Sequence, residues 1–211
     1  MKEDISHLRR IYDKGEFNIT KLKNPFTLFK SWFNEVKDDR EVNTMILSTI
    51  GIDGYPKGRA VLLKRFGLDG FVFFSNYHSE KGMSIEKNNK VSLLFFWPSL
   101  ERQIIIKGSV KKTSIELSDE YFLKRPFKSQ ISAIISKQSQ IIDSYEKLKD
   151  DMNILVKKYK NKSPKRPKNW GGYIVKPFEF EFWQGRPDRL HQRVLFSFDK
   201  TEKWKFNILS P

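Results

Sequence analysis

The chain has 211 residues, no cysteine, three histidines and a formal net charge of +15, with 40 Lys and Arg against 25 Asp and Glu. Its length suits one sizeable domain, and 18 Phe, 7 Tyr and 5 Trp supply enough apolar area to argue against disorder. The composition excludes disulfides and cysteine-ligated metals, the scattered His7, His78 and His191 leave no metal-ligand spacing, and no apolar run approaches the ~20 residues of a membrane span.

Residues 1–20 read as a charged, loosely held arm, and residues 21–211 as one domain whose last part, 170–211, completes it. MKEDISHLRRIYDKGEF lacks an apolar leader, which points to a cytoplasmic protein. In NPFTLFKSWFNEVKDD, Asn24 is the expected N-cap and Pro25 the first helical residue, with Phe26, Phe29, Phe33 and Val36 as the apolar stripe. From Thr44 the period changes to two. TMILSTIGI, an Asp53-Gly54 turn and GRAVLLKRF read as a hairpin, and GLDG leads into FVFFS.

HSEKGMSIEKNN reads as a short helix, and VSLLFFW and ERQIIIKGSVKK as further strands of an antiparallel meander. Thr113 with Glu116, and Asp143 with Glu146, read as capping boxes, and a helix over SQISAIIS follows Pro126. Tyr145, Leu148, Met152, Leu155 and Tyr159 form a helical stripe read as core. The basic run KKYKNKSPKRPK, 157–168, reads as a solvated helix end and linker. GGYIVKPFEFEFW sets Phe178, Phe180 and Phe182 against Glu179 and Glu181, and RVLFSF with WKFNI closes the chain as a hairpin. About seven antiparallel strands with inserted and peripheral helices make a mainly β, α+β class and favour a small barrel. Neither GxGxxG nor GxxxxGK[ST] occurs, which argues against Rossmann and P-loop nucleotide sites.

Cations gather at element ends: Arg59 to Lys64, Lys81, Tyr121 with Arg125 and Ser129, and Arg186 to Arg193. Strand alternation puts Arg59 and Lys64 on opposite faces, a geometry for two separate anions. Tyr121 and Arg125 lie one helical turn apart, and Ser129 falls near the donor-rich start of the next helix, a set suited to a phosphate monoester. In RLHQR, alternation would turn Arg189, His191 and Arg193 toward ligands and Leu190 and Gln192 away, leaving Arg186 as a solvated turn residue.

HLRRIY, PFTLFKSW, GRAVLLK, VSLLFFWPSLERQ, YFLKRPFKSQI, SKQSQ, WGGY, FEFWQGRPDRLHQR and the closing LSP together resemble the pyridoxine/pyridoxamine 5′-phosphate oxidase family over nearly the whole chain. The resemblance implies a homodimeric flavoenzyme with an FMN-binding split β-barrel. It oxidises pyridoxamine or pyridoxine 5′-phosphate to pyridoxal 5′-phosphate, with O₂ as acceptor and H₂O₂ as product. Arg59 and Lys81 would hold the FMN phosphate, and Ala60, Val61, Leu62, Leu63 and Lys64, with Phe74 and Ser75, would border the flavin. Gln103 would bond the ring system, and Gln138, Ser139, Trp183 and Arg193 would complete the shell across the dimer. Lys64, Tyr121, Arg125 and Ser129 would grip the substrate phosphate. Arg189 and His191 would be the catalytic pair over the pyridine ring, with Arg9 and Tyr12 on an arm folding over it.

Two departures from the family pattern, Glu80 beside Lys81 and Phe74 in place of Tyr, imply weaker FMN binding, and Glu80 would have to point away from the phosphate. The alternative reading is a non-catalytic split-barrel protein that binds FMN or pyridoxal phosphate. A third, a basic nucleic-acid-binding barrel, predicts colourless protein and is disfavoured by the substrate-side residues. No metal and no membrane are expected as partners.

Overall fold

The computed structural model describes residues 3–8, 10–19, 23–37, 39–160, 162–199 and 201–211. The first helix, α1 (Pro25–Glu35), starts as its sequence dictates. The Asn24 side chain accepts from the amides of Phe26 and Thr27, and Pro25 occupies a position where no amide is needed. Its buried face is Pro25, Phe29 and Trp32, so Trp32 joins Phe29 in the stripe, while the expected Phe26 and Phe33 are only half-buried.

Strands β1 (Thr44–Ile50) and β2 (Pro56–Leu62) flank the Asp53-Gly54 turn, where Gly54 takes φ 85°. The expected single strand over GRAVLLKRF is interrupted at Leu63 and Lys64. A short β3 (Arg65–Gly67) follows and pairs antiparallel with β4 (Gly70–Asn76). Next come α2 (Glu80–Lys87), β5 (Lys90–Trp97), β6 (Arg102–Lys112), α3 (Ile115–Lys124), α4 (Phe127–Ile135), α5 (Tyr145–Lys158), β7 (Trp170–Gln184), β8 (Gln192–Phe198) and β9 (Trp204–Leu209). A single 3-10 turn, Pro187–Arg189, separates β7 from β8.

The described residues thus form nine strands where the periodicity suggested about seven. The strand order is β2-β1-β5-β6-β7-β4-β3, with β8 paired to β7 and β9 to β8. This is not the simple meander that the spacing suggested, because β4 pairs with β3 on one side and with the distant β7, not β5, on the other.

Both capping boxes are shifted by one residue. Ser114 and Ser144 are the N-caps, accepting from the amides of Leu117 and Lys147, while Thr113 shares a hydrogen bond with Ser118. The α5 stripe is not core: none of its described residues is buried, and Tyr145 is 61% exposed. Phe178, expected to alternate inward with Phe180 and Phe182, is exposed. The burial pattern of β7 slips by one residue here, between the stretch paired with β4, which ends at Val175, and the stretch paired with β8, which begins at Glu179.

The chain divides into two compact units, residues 1–46, 92–107 and 177–211, and residues 47–91 and 108–176. In the first, the Phe29 ring meets Phe95 edge-on at 5.1 Å, and Trp32 meets Phe182 at 5.2 Å. Arg102 lies 4.5 Å over the Trp32 ring and donates to Gln184 and Glu35. Phe29 is fully buried, so its truncation to Ala would cost about 3–5 kcal/mol. The core of the second unit contains Phe71, Phe73, Phe122, Ile131 and Tyr173, all at most 1% exposed. No helix among the described residues is long and apolar enough to cross a membrane.

Candidate active site

In the second unit a cleft of about 540 Å³ opens among β2, β4 and the three helices α2, α3 and α4. Ala60, Val61, Leu62, Lys64, Phe74, Ser75, Lys81, Tyr121, Arg125, Ser129 and Gln138 all line it. Most residues assigned to FMN and all four assigned to the substrate phosphate therefore share one wall system. The sequence reading missed Ser132, Ser136 and Trp170, which also line the cleft. Their signal was available, since Ser129, Ser132 and Ser136 repeat at the three- and four-residue spacing of one helix face.

The phosphate-side geometry rests on an aromatic stack. The rings of Phe74 and Tyr121 are stacked at 3.9 Å, and Trp170 lies nearly parallel to both, at 5.7 and 6.2 Å. Glycines of WGGY make this approach possible: a Cβ on Gly172 would fall 2.8 Å from Phe74 Cε1 and 2.4 Å from Thr113 Oγ1. The Arg125 guanidinium lies 4.6 Å over the Trp170 ring, and its Nη1 is buried without a hydrogen-bond partner. Burial pushes the Arg125 pKa down. A desolvated cation with an unused donor, in a cleft beside Lys64, Tyr121 and Ser129, has the chemistry of an anion receptor.

A second pair of cations lies at the start of α2. Lys81 is only 8% exposed and donates to Ser79 Oγ at 3.3 Å. Burial and the Arg59 guanidinium push its pKa down, opposed by Glu80. Arg59 itself does not line the cleft but donates to Leu47 O at 3.1 Å and Thr49 Oγ1 at 2.8 Å. Burial lowers its pKa as well. Neither cation is ion-paired among the described residues, so this corner fits the phosphate of a flavin mononucleotide at a helix N-terminus. Glu80 points to Lys57, with which it forms an ion pair. Leu63 is buried in the core, and Ser139 is exposed with φ 71°.

The remaining predicted residues lie in the first unit. Tyr12, Trp183 and His191 form a ring cluster, with Tyr12 edge-on to Trp183 at 5.6 Å and Trp183 at 4.8 Å from His191. Arg189 joins Tyr12 and His191 around a hollow of about 550 Å³. Strand alternation does not govern Arg189: Asp188 and Arg189 have φ 56° and 62°, and β8 starts only at Gln192. Burial and the Arg189 charge lower the His191 pKa. Arg193 is bound to Glu181 through two donors and to Ser210 O at 2.9 Å. Gln103 lines a different groove, with Trp97 and Phe96. Arg186 is not a solvated turn residue, because its guanidinium bonds Gly15 O and Glu16. Arg9 lies outside the described residues.

Residues 34–154 match the family described as Pyridoxamine 5′-phosphate oxidase, and residues 170–211 match the Pyridoxine 5′-phosphate oxidase C-terminal dimerisation region. A protein of Flavobacterium psychrophilum named pyridoxine/pyridoxamine 5′-phosphate oxidase is 50% identical, over 99% of this chain and all of its own length. One of the same name from Flavobacterium johnsoniae is 47% identical over 98% of this chain and 99% of its own. Among solved structures, PhzG of Burkholderia lata 383, in complex with tetrahydrophenazine-1-carboxylic acid, superposes with a TM-score of 0.85 at 27% identity, covering 90% of this chain and 94% of its own. An FMN-binding, pyridoxamine 5′-phosphate oxidase-related protein of Nostoc punctiforme shares the fold with a TM-score of 0.73 at 13% identity, covering 89% of this chain and 98% of its own. The fold is the antiparallel split barrel of these proteins, and the chain belongs to the pyridoxine/pyridoxamine 5′-phosphate oxidase family.

Proposed function

We propose that the protein oxidises pyridoxamine 5′-phosphate and pyridoxine 5′-phosphate to pyridoxal 5′-phosphate. O₂ takes up the two electrons and two protons as H₂O₂, and the amine substrate also consumes water and releases ammonia. The observation that carries this reading is the unpartnered Nη1 of Arg125, buried in the cleft that also holds Lys64, Tyr121 and Ser129.

These four side chains bind the substrate phosphate, each charge-assisted hydrogen bond contributing about 1.5–3 kcal/mol. Arg59 and Lys81 hold the FMN phosphate, and the β2 backbone at Ala60 to Leu62 with Phe74 and Ser75 borders the ring. When bound, FMN supplies the two-electron acceptor that O₂ regenerates. The chain itself supplies placement, so that bound phosphate fixes where the carbon to be oxidised rests. Arg189 and His191 orient the pyridine ring and stabilise charge at that carbon. The protein acts as a homodimer in a cytoplasmic setting, with Ser139, Trp183 and Arg193 completing the cofactor shell across the subunit interface, while Gln138 lines the cleft of its own chain.

The test is to purify the protein, record flavin absorbance, and assay peroxide on adding pyridoxamine 5′-phosphate. Yellow protein that releases peroxide supports the proposal, and Arg189→Met should cut turnover while flavin content holds. Yellow protein without peroxide means a non-catalytic binder, and colourless protein that takes up no FMN overturns the cofactor assignment too.

A further inference from the structure

Arg186 stands in the 185–191 loop with two sets of bonds that the reaction alone does not require. Its backbone amide donates to His191 Nδ1 at 3.1 Å. Its guanidinium donates to Gly15 O at 3.1 Å and pairs with Glu16 at 3.2 Å. The first bond decides a chemical question. A neutral imidazole whose Nδ1 accepts carries its proton on Nε2, so His191 presents a donor, not a base, at its free edge. The second set ties the arm to the same loop. Tyr12, three residues before Gly15, lies edge-on to the His191 ring at 5.8 Å.

Within the loop, Leu190 N bonds Pro187 O at 3.1 Å in the 3-10 turn. The loop passes through two left-handed non-glycine residues, Asp188 and Arg189, a conformation that persists only where surroundings impose it. Among the described residues, the surroundings include the arm, pinned by Lys14 N to Glu101 Oε2 at 3.0 Å and by Phe17 N to Gln192 Oε1 at 3.0 Å.

We infer that Arg186 is a positioning residue that latches the arm onto the 185–191 loop and thereby holds Tyr12 over His191 and His191 in its Nε2–H form. Its kinetic consequence rests on the oxidase reading above, but its structural consequence does not. The latch acts through Tyr12 and His191.

Two readouts test it on the full chain. Two-bond ¹H–¹⁵N NMR, assigned with His7→Gln and His78→Gln, reads the His191 tautomer without any turnover. The wild type should show the proton on Nε2, Arg186→Ala should show averaging between the two tautomers, and Arg186→Lys should recover part of the wild-type signal. In peroxide assays Arg186→Ala should lose on the order of tenfold to a hundredfold in kcat/KM with flavin content unchanged, and Arg186→Lys should recover part of it. An unchanged tautomer in Arg186→Ala overturns the inference whether or not the protein is an oxidase. So does loss of flavin and melting temperature in both variants, which would mark a purely structural role. A wild type without peroxide defeats the oxidase reading alone, and the spectra still decide the latch.

Discussion

Glu80 and Lys57 are ion-paired, so the carboxylate next to Lys81 in sequence is engaged by a cation from β2, and Asp53 holds that same ammonium at 3.3 Å. Glu80 therefore spends much of its charge away from the α2 start, where Lys81 and Arg59 fit an FMN phosphate. Both partners of the pair are more than a third exposed, so water and salt screen it. Glu80→Gln should tighten FMN binding by only about threefold at low salt, and Lys57→Met, which releases the carboxylate, should weaken it by about as much. Fluorescence titration of apoprotein with FMN reads both, and an unchanged dissociation constant in Lys57→Met would show that the pair does not shield the site.

Gly172 lets β7 pass close to Phe74, and Phe74 stacks on Tyr121. A methyl at Gly172 must displace the Phe74 ring or Thr113, an overpacking that costs about 1–3 kcal/mol. Gly172→Ala should lower the melting temperature and, by moving Tyr121, raise KM for pyridoxamine 5′-phosphate. A lower melting temperature with KM untouched would separate the stack from the phosphate grip.

Legibility in the sequence followed the range of the interaction. α1 was readable because Asn24, Pro25 and the apolar spacing all lie within one short stretch. The caps of α3 and α5 were misplaced by one because Thr113 and Ser114, and Asp143 and Ser144, satisfy the same local rule; at α3 the Thr113 amide is taken up instead by Gly172 O at 2.9 Å. The pairing of β4 with β7 leaves no mark on local periodicity, so the strand order was not readable. Within the site, Tyr121, Arg125 and Ser129 could be grouped because an anion needs converging donors, whereas Lys64 joined them only through the family resemblance. Arg186 could not, because its partner Gly15 is 171 residues away and only the fold reunites them.

Arg125 carries a stability cost. Its buried, unpartnered Nη1 costs about 1–3 kcal/mol, and its contact with the Trp170 ring returns about 0.5–1 kcal/mol. Arg125→Met keeps an unbranched apolar stem against Trp170 and removes the unsatisfied donor, so the unliganded variant should melt at the same temperature as wild type or higher. Inorganic phosphate should raise the wild-type melting temperature more than that of the variant, because only the wild type binds it tightly in the folded state. Equal shifts from phosphate would place the anion elsewhere.

His191 should make stability fall on mild acidification. Burial and the Arg189 guanidinium hold its pKa below the ordinary 6.5, while the Arg186 amide occupies Nδ1 and the rings of Tyr12 and Trp183 flank it. In the unfolded chain the imidazole takes up a proton near its ordinary pKa, and the native state resists doing so. As pH falls through 6.5 the unfolded state therefore binds more protons, and stability drops; above about pH 7.5 the contribution is constant. Measured between about pH 7.5 and pH 5.5, the loss of melting temperature should be smaller in His191→Gln than in wild type, because the glutamine has no proton to take up. Equal losses would mean that His191 titrates alike in both states and that the loop does not hold it neutral.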